Sequence, residues 1–409
     1  MVDISRFELD TFFDLRIDDK IILPIISKSV IKEGPDSSIY NIEIHPEYNL
    51  LVSKSEDGHP IRNNFALKTY KARNIEAHNM EVDAYRVLSD QIDIQPYLVH
   101  FYGSWAQGGL YNMLFEFVGG GTLTQFMEKT SPPTQGEDFL NFWRSLLNII
   151  KPLTRIHSLP LTDDGNQYLQ GIHHDIKPDN VLVTSRKGPC EFEVTFKLAD
   201  LGLTEFEPAT NRGAPEYFVN ENDLFLLRTA MEAKPSKDIW SLGCVFSEAA
   251  VWSVLGYDGL LQYKKARTAA TEAFPELRNT AYSGCFHNGL ETLRVIQQTH
   301  AQICTKRHRN DSIIESMVEL VDAMLVAENR RPSAVDVYRR SRRILTMASD
   351  FLGTNDRFMG SAASRFEQRQ TPPEQPPDLR HHFSNGRAES PLSFEADRGD
   401  ESLPLWVVL

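Results

Sequence analysis

Between residues 20 and 118 apolar and polar positions alternate, most cleanly in Ser38-Ile39-Tyr40-Asn41-Ile42-Glu43-Ile44. Short apolar runs recur at Ile21–Leu23, Phe65–Lys68, Val99–Tyr102 and Tyr111–Phe115. A period of two in short runs predicts β-strands. One segment breaks the pattern: Met80–Leu88 places Val82, Tyr85 and Leu88 on one face at helical spacing, which predicts a helix. Beyond Gly119-Gly120-Gly121 the periodicity turns helical, with a long amphipathic run from Phe139 to His157 and others from Asp238 to Trp252 and from Ile313 to Val326. The pattern predicts an α+β chain: an N-terminal extension (1–19), a small sheet-rich lobe with one helix (20–118) and a larger, mainly helical lobe (119–352). From 353 to 409 prolines accumulate at 372, 373, 376, 377, 391 and 404 while aliphatics thin out, which predicts a disordered tail. Its last residues, Leu403–Leu409, turn apolar again, consistent with an unstructured end or with a segment that docks a protein partner.

Composition narrows the function classes. With 43 basic and 56 acidic side chains the net charge is −13, which argues against a nucleic-acid partner that would need clustered cations. The basic run Lys306-Arg307-His308-Arg309 reads as a solvated face. Four cysteines without a CxxC pair exclude a disulfide scaffold and suit a reducing compartment. No uninterrupted apolar stretch approaches a membrane span, and the acidic first residues are unlike a signal peptide. The expectation is an intracellular protein, cytoplasmic or nuclear, with no membrane partner.

The densest chemistry lies at His173-His174-Asp175-Ile176-Lys177-Pro178-Asp179-Asn180, followed by Asp200-Leu201-Gly202. A carboxylate can orient a hydroxyl and accept its proton, a lysine can neutralise phosphoryl charge, and Asn and Asp oxygens are hard ligands suited to Mg²⁺. These residues resemble the catalytic loop and metal-binding turn of protein kinases, and the Lys177 form resembles the serine/threonine type. Other landmarks follow in family order. Phe65-Ala66-Leu67-Lys68 resembles the strand whose lysine holds the ATP phosphates, with Glu81 as its ion-pair partner and Glu76 as the rival. Leu114-Phe115-Glu116-Phe117-Val118 resembles the hinge, with Phe115 guarding the back pocket. Gly213-Ala214-Pro215-Glu216 resembles the end of the activation segment, Asp238–Gly243 the buried helix beneath the loop, and Arg331 the partner of Glu216. Trp252–Leu260 and Phe286–Gly289 are similar to a group of fungal kinases.

The resemblance implies a two-lobed fold, the cofactors ATP and Mg²⁺ and a protein Ser/Thr substrate. It implies Asp175, Lys177 and Asn180 as catalytic residues, Asn180 and Asp200 as metal ligands, and Gly34, Ala66, Lys68, Glu81, Glu116, Val118, Leu182 and Asp200 around the nucleotide. Tyr85, Phe101, Leu201 and His173 would stack as a spine. Three features depart from the family. The phosphate loop Glu33-Gly34-Pro35-Asp36-Ser37-Ser38 keeps one glycine and adds a proline without an amide hydrogen and a negative charge. His174 stands where an arginine would read a phosphate. The segment from Asp200 to Glu216 is short, with Thr204 and Thr210 as its hydroxyls and Arg212 near its end. The last two departures agree with activity that needs no activation-loop phosphorylation. The first keeps open the alternative of a pseudokinase acting as a binding module.

Overall fold

A computed structural model of the chain describes residues 7–8, 14–161, 167–186, 188–210, 234–275, 277–278, 283–288 and 291–367, with 7–8, 210 and 354–367 as backbone alone. Residues up to 357 belong to one compact unit; of a second, 358–409, the described part is helical backbone.

The N-terminal lobe is built on five antiparallel strands: β1 (Ile25–Glu33), β2 (Ser37–Ile44), β3 (Asn64–Lys71), β4 (Phe101–Gln107) and β5 (Leu110–Glu116). They lie in the order β4-β5-β3-β2-β1, with the short strand Leu15–Arg16 added in parallel outside β4. The period-two pattern predicted β2, β3 and β5 and half of β4. It missed β1 and placed a strand at Ile21–Leu23, where only Ile22 forms a bridge. The pairing of β1 with β2 shifts register between Ile25 and Ser27 and again between Val30 and Lys32. Each bulge resets the alternation, so this exposed edge strand carries no readable period.

Alternation sorts the sheet's two faces. Ile42, Phe65, Leu67, Trp105 and Leu114 bury one face, while Tyr85 and Leu88 of helix α1 (Ile75–Leu88) pack with Met113 and Phe115 on the other. The larger lobe holds α2 (Leu123–Lys129), α3 (Gly136–Leu147), α4 (Ile150–His157), α5 (Ser236–Glu272), α6 (Arg294–Lys306), α7 (Ile314–Met324) and α8 (Ala334–Glu367). Its core runs through Phe142, Trp143, Phe246 and Trp252, all fully buried. The predicted run from Phe139 to His157 is two helices, because Pro152 has no N–H with which to carry the helical ladder back to Asn148. The helix α5 is broken at Gly256, whose φ of 70° suits glycine. By length and composition α5 could cross a membrane, yet 67% of its apolar window is buried inside the lobe. The last helix, α8, runs to Glu367, past the expected start of the tail at 353.

Two short strands, β7 (Val181–Val183) and β8 (Phe196–Leu198), pair beneath the sheet, and β6 (Gln167–Ile172) pairs with β9 (Glu205–Thr210). The chain leaving β5 lies against β7: the Gly120 amide donates to the Val183 carbonyl at 2.9 Å, and the Val183 amide to Gly121 at 2.8 Å. A Cβ on Gly120 would lie 2.4 Å from the Val183 carbonyl oxygen and 2.7 Å from that of Thr184, backbone atoms that cannot swing aside. Gly120→Ala is expected to cost about 1–3 kcal/mol, read as a lower midpoint in urea denaturation.

Candidate active site

The strand β3 aims Ala66, Lys68 and Tyr70 to one face because its neighbours Phe65 and Leu67 are taken by the opposite cluster. The Lys68 ammonium lies 2.8 Å from Glu81 Oε2, 3.0 Å from Oε1 and 2.8 Å from Asp200 Oδ1. Glu81 comes from the buried face of α1, whereas its rival Glu76 is exposed on the first turn. Tyr70 OH donates to Glu81 Oε2 at 2.6 Å. Burial acts to lower the lysine's pKa, but the carboxylates of Glu81 and Asp200 prevail and hold it well above its ordinary value. Asp200 shows the reverse: burial acts to raise its pKa, and Lys68 brings it below the usual carboxylate value. Burial keeps Glu81 raised despite Lys68. The sequence reading missed Tyr70, although its place two residues after Lys68 on a strand puts it on the same face.

Asp175, Lys177 and Asn180 occupy the loop between β6 and β7. Lys177 Nζ donates to Asp175 Oδ2 at 2.7 Å, and Asn180 Nδ2 to Asp175 Oδ2 at 2.8 Å and to its carbonyl at 2.9 Å. Neither bond uses Asp175 Oδ1. The loop hangs from Asp238 on α5, which is 1% exposed. Its Oδ2 accepts from the His173 amide at 2.7 Å and meets His157 Nε2 at 2.9 Å, while its Oδ1 accepts from the His174 amide at 3.0 Å. Burial acts to raise the Asp238 pKa; the bonds from His157 and His173 outweigh it and hold the carboxyl below its ordinary value. His174 itself sits at φ 67°, and Asp200 at φ 66°. Two non-glycine residues in the left-handed region flank the same centre, strain that persists where surroundings over-determine it.

Leu201 is fully buried with Tyr85, and Phe101 lies 5.4 Å from Tyr85 between ring centroids. His173 is fully buried against the Ala199 carbonyl at 3.2 Å. Ala66, Val118 and Leu182, small or aliphatic side chains from β3, from the chain leaving β5 and from β7, pack against the same cluster as Phe115. Glu116 ends β5, and its side chain has a role not read from the sequence. Buried, it accepts from the His100 amide at 2.9 Å and pairs with Lys197 of β8 and with Arg62 at 3.4 Å.

The sequence matches the family model described as the protein kinase domain over residues 58–341. The chain belongs to the protein kinase family. It is 29% identical over 197 residues to the mitosis inhibitor protein kinase SWE1 of Candida albicans, covering 44% of this chain and 14% of that protein. It is 25% identical over 282 residues to the mitosis inhibitor protein kinase mik1 of Schizosaccharomyces pombe, covering 68% and 41%. With the MAP kinase kinase PBS2 of Saccharomyces cerevisiae the figures are 29% over 162 residues, 38% and 22%. The chain therefore spans less than half the length of each of these relatives.

The kinase-family match begins past Gly34. Gly34 opens a tight turn between β1 and β2, its amide bonded to Ser37 O at 2.9 Å. The tip is tethered to the approach to α1, with Arg73 donating to Pro35 O at 2.9 Å and Asn74 to Asp36 O at 2.8 Å. After Asp200 the segment enters a six-pair ladder between β9 and β6. Gly171 allows it, since a Cβ there would meet the Phe206 ring at 2.9 Å. Thr204 is 2% exposed. Gly213–Glu216 and Arg212 lie outside the described residues; Arg331, the expected partner of Glu216, donates to Val326 O and Ser236 O and stacks over Trp240.

Asp238→Ala would leave the buried His173 amide and the part-buried His174 amide without their acceptor and is expected to cost about 3–5 kcal/mol at pH 7. Because the folded pKa of Asp238 is depressed, its stabilisation is present above the ordinary value of 3.8 and is lost as pH falls through the folded value. The gap in urea midpoint between wild type and Asp238→Asn should therefore narrow below that pH.

Proposed function

We propose that the chain is a Mg²⁺-ATP-dependent serine/threonine protein kinase that transfers a phosphoryl group to a protein hydroxyl. The observation that carries this reading is the Lys68 ammonium held at once by Glu81 and Asp200, facing a loop in which Asn180 is braced on Asp175. Gathering this charge carries a desolvation cost that a bound nucleotide and its cation would help to offset.

The donor set fits the cofactors. Ala66, Val118 and Leu182 would pack against the flat base, with the backbone at Glu116 and Val118 along its edge. Lys68 would neutralise phosphate charge, and the oxygens of Asn180 and Asp200 suit a hard divalent cation. When bound, Mg²⁺-ATP supplies the transferable phosphoryl group. The chain's own residues do the rest. Asp175 orients the incoming hydroxyl through Oδ1 and accepts its proton, because Lys177 and Asn180 fix its other oxygen. Lys177 stands ready to offset charge on the phosphoryl group. A protein substrate and an intracellular location, cytoplasmic or nuclear, belong to the same proposal.

The second reading, a pseudokinase that serves as a binding module, is favoured by one observation. The turn at Gly34 gives one glycine, a proline without a donor and the negative Asp36 where phosphates would need amides. Thermal unfolding separates the two, since a ligand that binds only the folded state raises the melting temperature. A Mg²⁺-dependent rise with ATP that disappears in Lys68→Met and Asp200→Ala is the expected result. No rise at millimolar ATP would overturn the kinase reading in favour of the binding module.

We further propose that turnover needs no phosphate on the activation segment. Its start is ordered by the backbone ladder of β9 on β6, and the Thr204 hydroxyl is buried without a hydrogen-bond partner. Thr204→Val with Thr210→Val is expected to keep turnover undiminished in a phosphoryl-transfer assay. A loss accompanied by phosphate at either position in the active wild type, found by mass spectrometry, would sink this proposal.

A further inference from the structure

Asn41 lies midway along β2, directly opposite Ala66 of β3, with Ile39 opposite Lys68. Tyr40, Ile42, Phe65 and Leu67 belong to the cluster on the far face of the sheet. Strand alternation therefore puts Asn41 on the face of Ala66 and Lys68, one pleat, about 7 Å, from the lysine toward the hinge. Its Oδ1 is buried and has no hydrogen-bond partner.

That placement is unfavourable in the protein alone. Asparagine is depleted in strand interiors, and a buried acceptor left unmade costs about 1–3 kcal/mol. An aliphatic residue would carry neither penalty. Other polar atoms are buried without partners among the described residues, but Trp143 and Trp252 sit wholly inside the larger lobe's core. Asn41 instead lies on the face of Ala66 and Lys68, where the kinase reading puts the nucleotide. Its carboxamide offers an acceptor and two donors, so whichever way the amide is turned, a complementary group on that face finds a partner. Meanwhile the carbonyls at the phosphate turn are committed to Arg73 and Asn74, and Pro35 donates nothing.

We propose that Asn41 is a nucleotide-recognition residue that hydrogen-bonds the purine nucleoside, shifting recognition away from the phosphates toward the part shared by adenosine, ADP and ATP. The inference deepens the kinase reading and rests on it. It accounts for the two oddities together: a phosphate loop with few donors, and a polar group kept dry above the base.

Calorimetric titration of wild type and Asn41→Val with adenosine, Mg²⁺-ADP and Mg²⁺-ATP tests it. The variant is expected to lose about three- to tenfold in affinity for all three ligands alike, the worth of one hydrogen bond. Its nucleotide-free melting temperature should equal or exceed that of wild type, since an unmade acceptor has been removed. Equal affinities in the two proteins would overturn the proposal, as would a loss confined to ATP, which would put the amide at the phosphates. A lower melting temperature without nucleotide would also overturn it, by showing that Asn41 serves the fold. Asn41→Thr, which keeps a hydroxyl and suits a strand, is expected to fall between the two; an affinity below that of the valine variant would count against a hydrogen bond. Wild type binding none of the three ligands would remove the kinase reading itself, an outcome distinct from wild type binding and the variant matching it.

Discussion

An ammonium group taken out of water is among the costliest things a fold can bury, and the arrangement around Lys68 follows from meeting that cost. One carboxylate would balance the charge; the structure supplies two, from elements far apart in sequence. Glu81 can reach Lys68 only if α1 lies against the sheet with its buried face inward, and Asp200 only if the end of β8 comes under the same strand. The three side chains thus fix sheet, helix and lower lobe relative to one another. Tyr70 adds a neutral donor to Glu81 Oε2, beside Lys68, which reaches both oxygens. The charge count is one cation to two anions. A site with that imbalance, raising the pKa of Glu81 by burial while lowering that of Asp200, has room for further positive charge next to Asp200.

A second buried carboxylate does the same work for the loop. Asp238 gathers the amides of His173 and His174 with the His157 ring, and those bonds hold the backbone that presents Asp175. From there the geometry passes to Asn180 by side-chain bonds. The segment after Asp200 is fixed differently, by a ladder of main-chain bonds to β6. Main-chain pairing is indifferent to phosphate, and it uses the strand that leads into the loop. Under the proposal that turnover needs no phosphate on this segment, an arginine at position 174 to read one would have no task, which fits the exposed His174.

Much of this was legible in the sequence, and for identifiable reasons. Strand β2 shows clean alternation, and β3 and β5, buried on both faces, stand out as short apolar runs. The residues from His173 to Asn180, with Asp200, are read by type and spacing because their chemistry admits few substitutes. What escaped depends on distant contacts. The strand β1 is hidden by two bulges at an exposed edge, and the break between α3 and α4 turns on a single missing N–H at Pro152. The pairing of Glu116 with Lys197 joins residues 81 apart, and nothing in either local sequence announces it.

The weak phosphate turn and the strong charged centre pull the functional reading in opposite directions, and their locations decide how to weigh them. Defects at the Gly34 turn lie in a hairpin tip whose bonds to Arg73 and Asn74 are made at exposed side chains. Such bonds are worth little individually and exchange readily with water. The centre at Lys68 is buried, satisfied from several sides and expensive to assemble. Loss of function would remove one of the two reasons to keep this centre and leave only its part in fixing the sheet, α1 and the lower lobe, where most substitutions destabilise. Here the centre is whole, the turn is depleted, and a polar residue stands dry on the face of Ala66 and Lys68. That distribution fits a site adjusted to hold its nucleotide by a different set of contacts better than one abandoned.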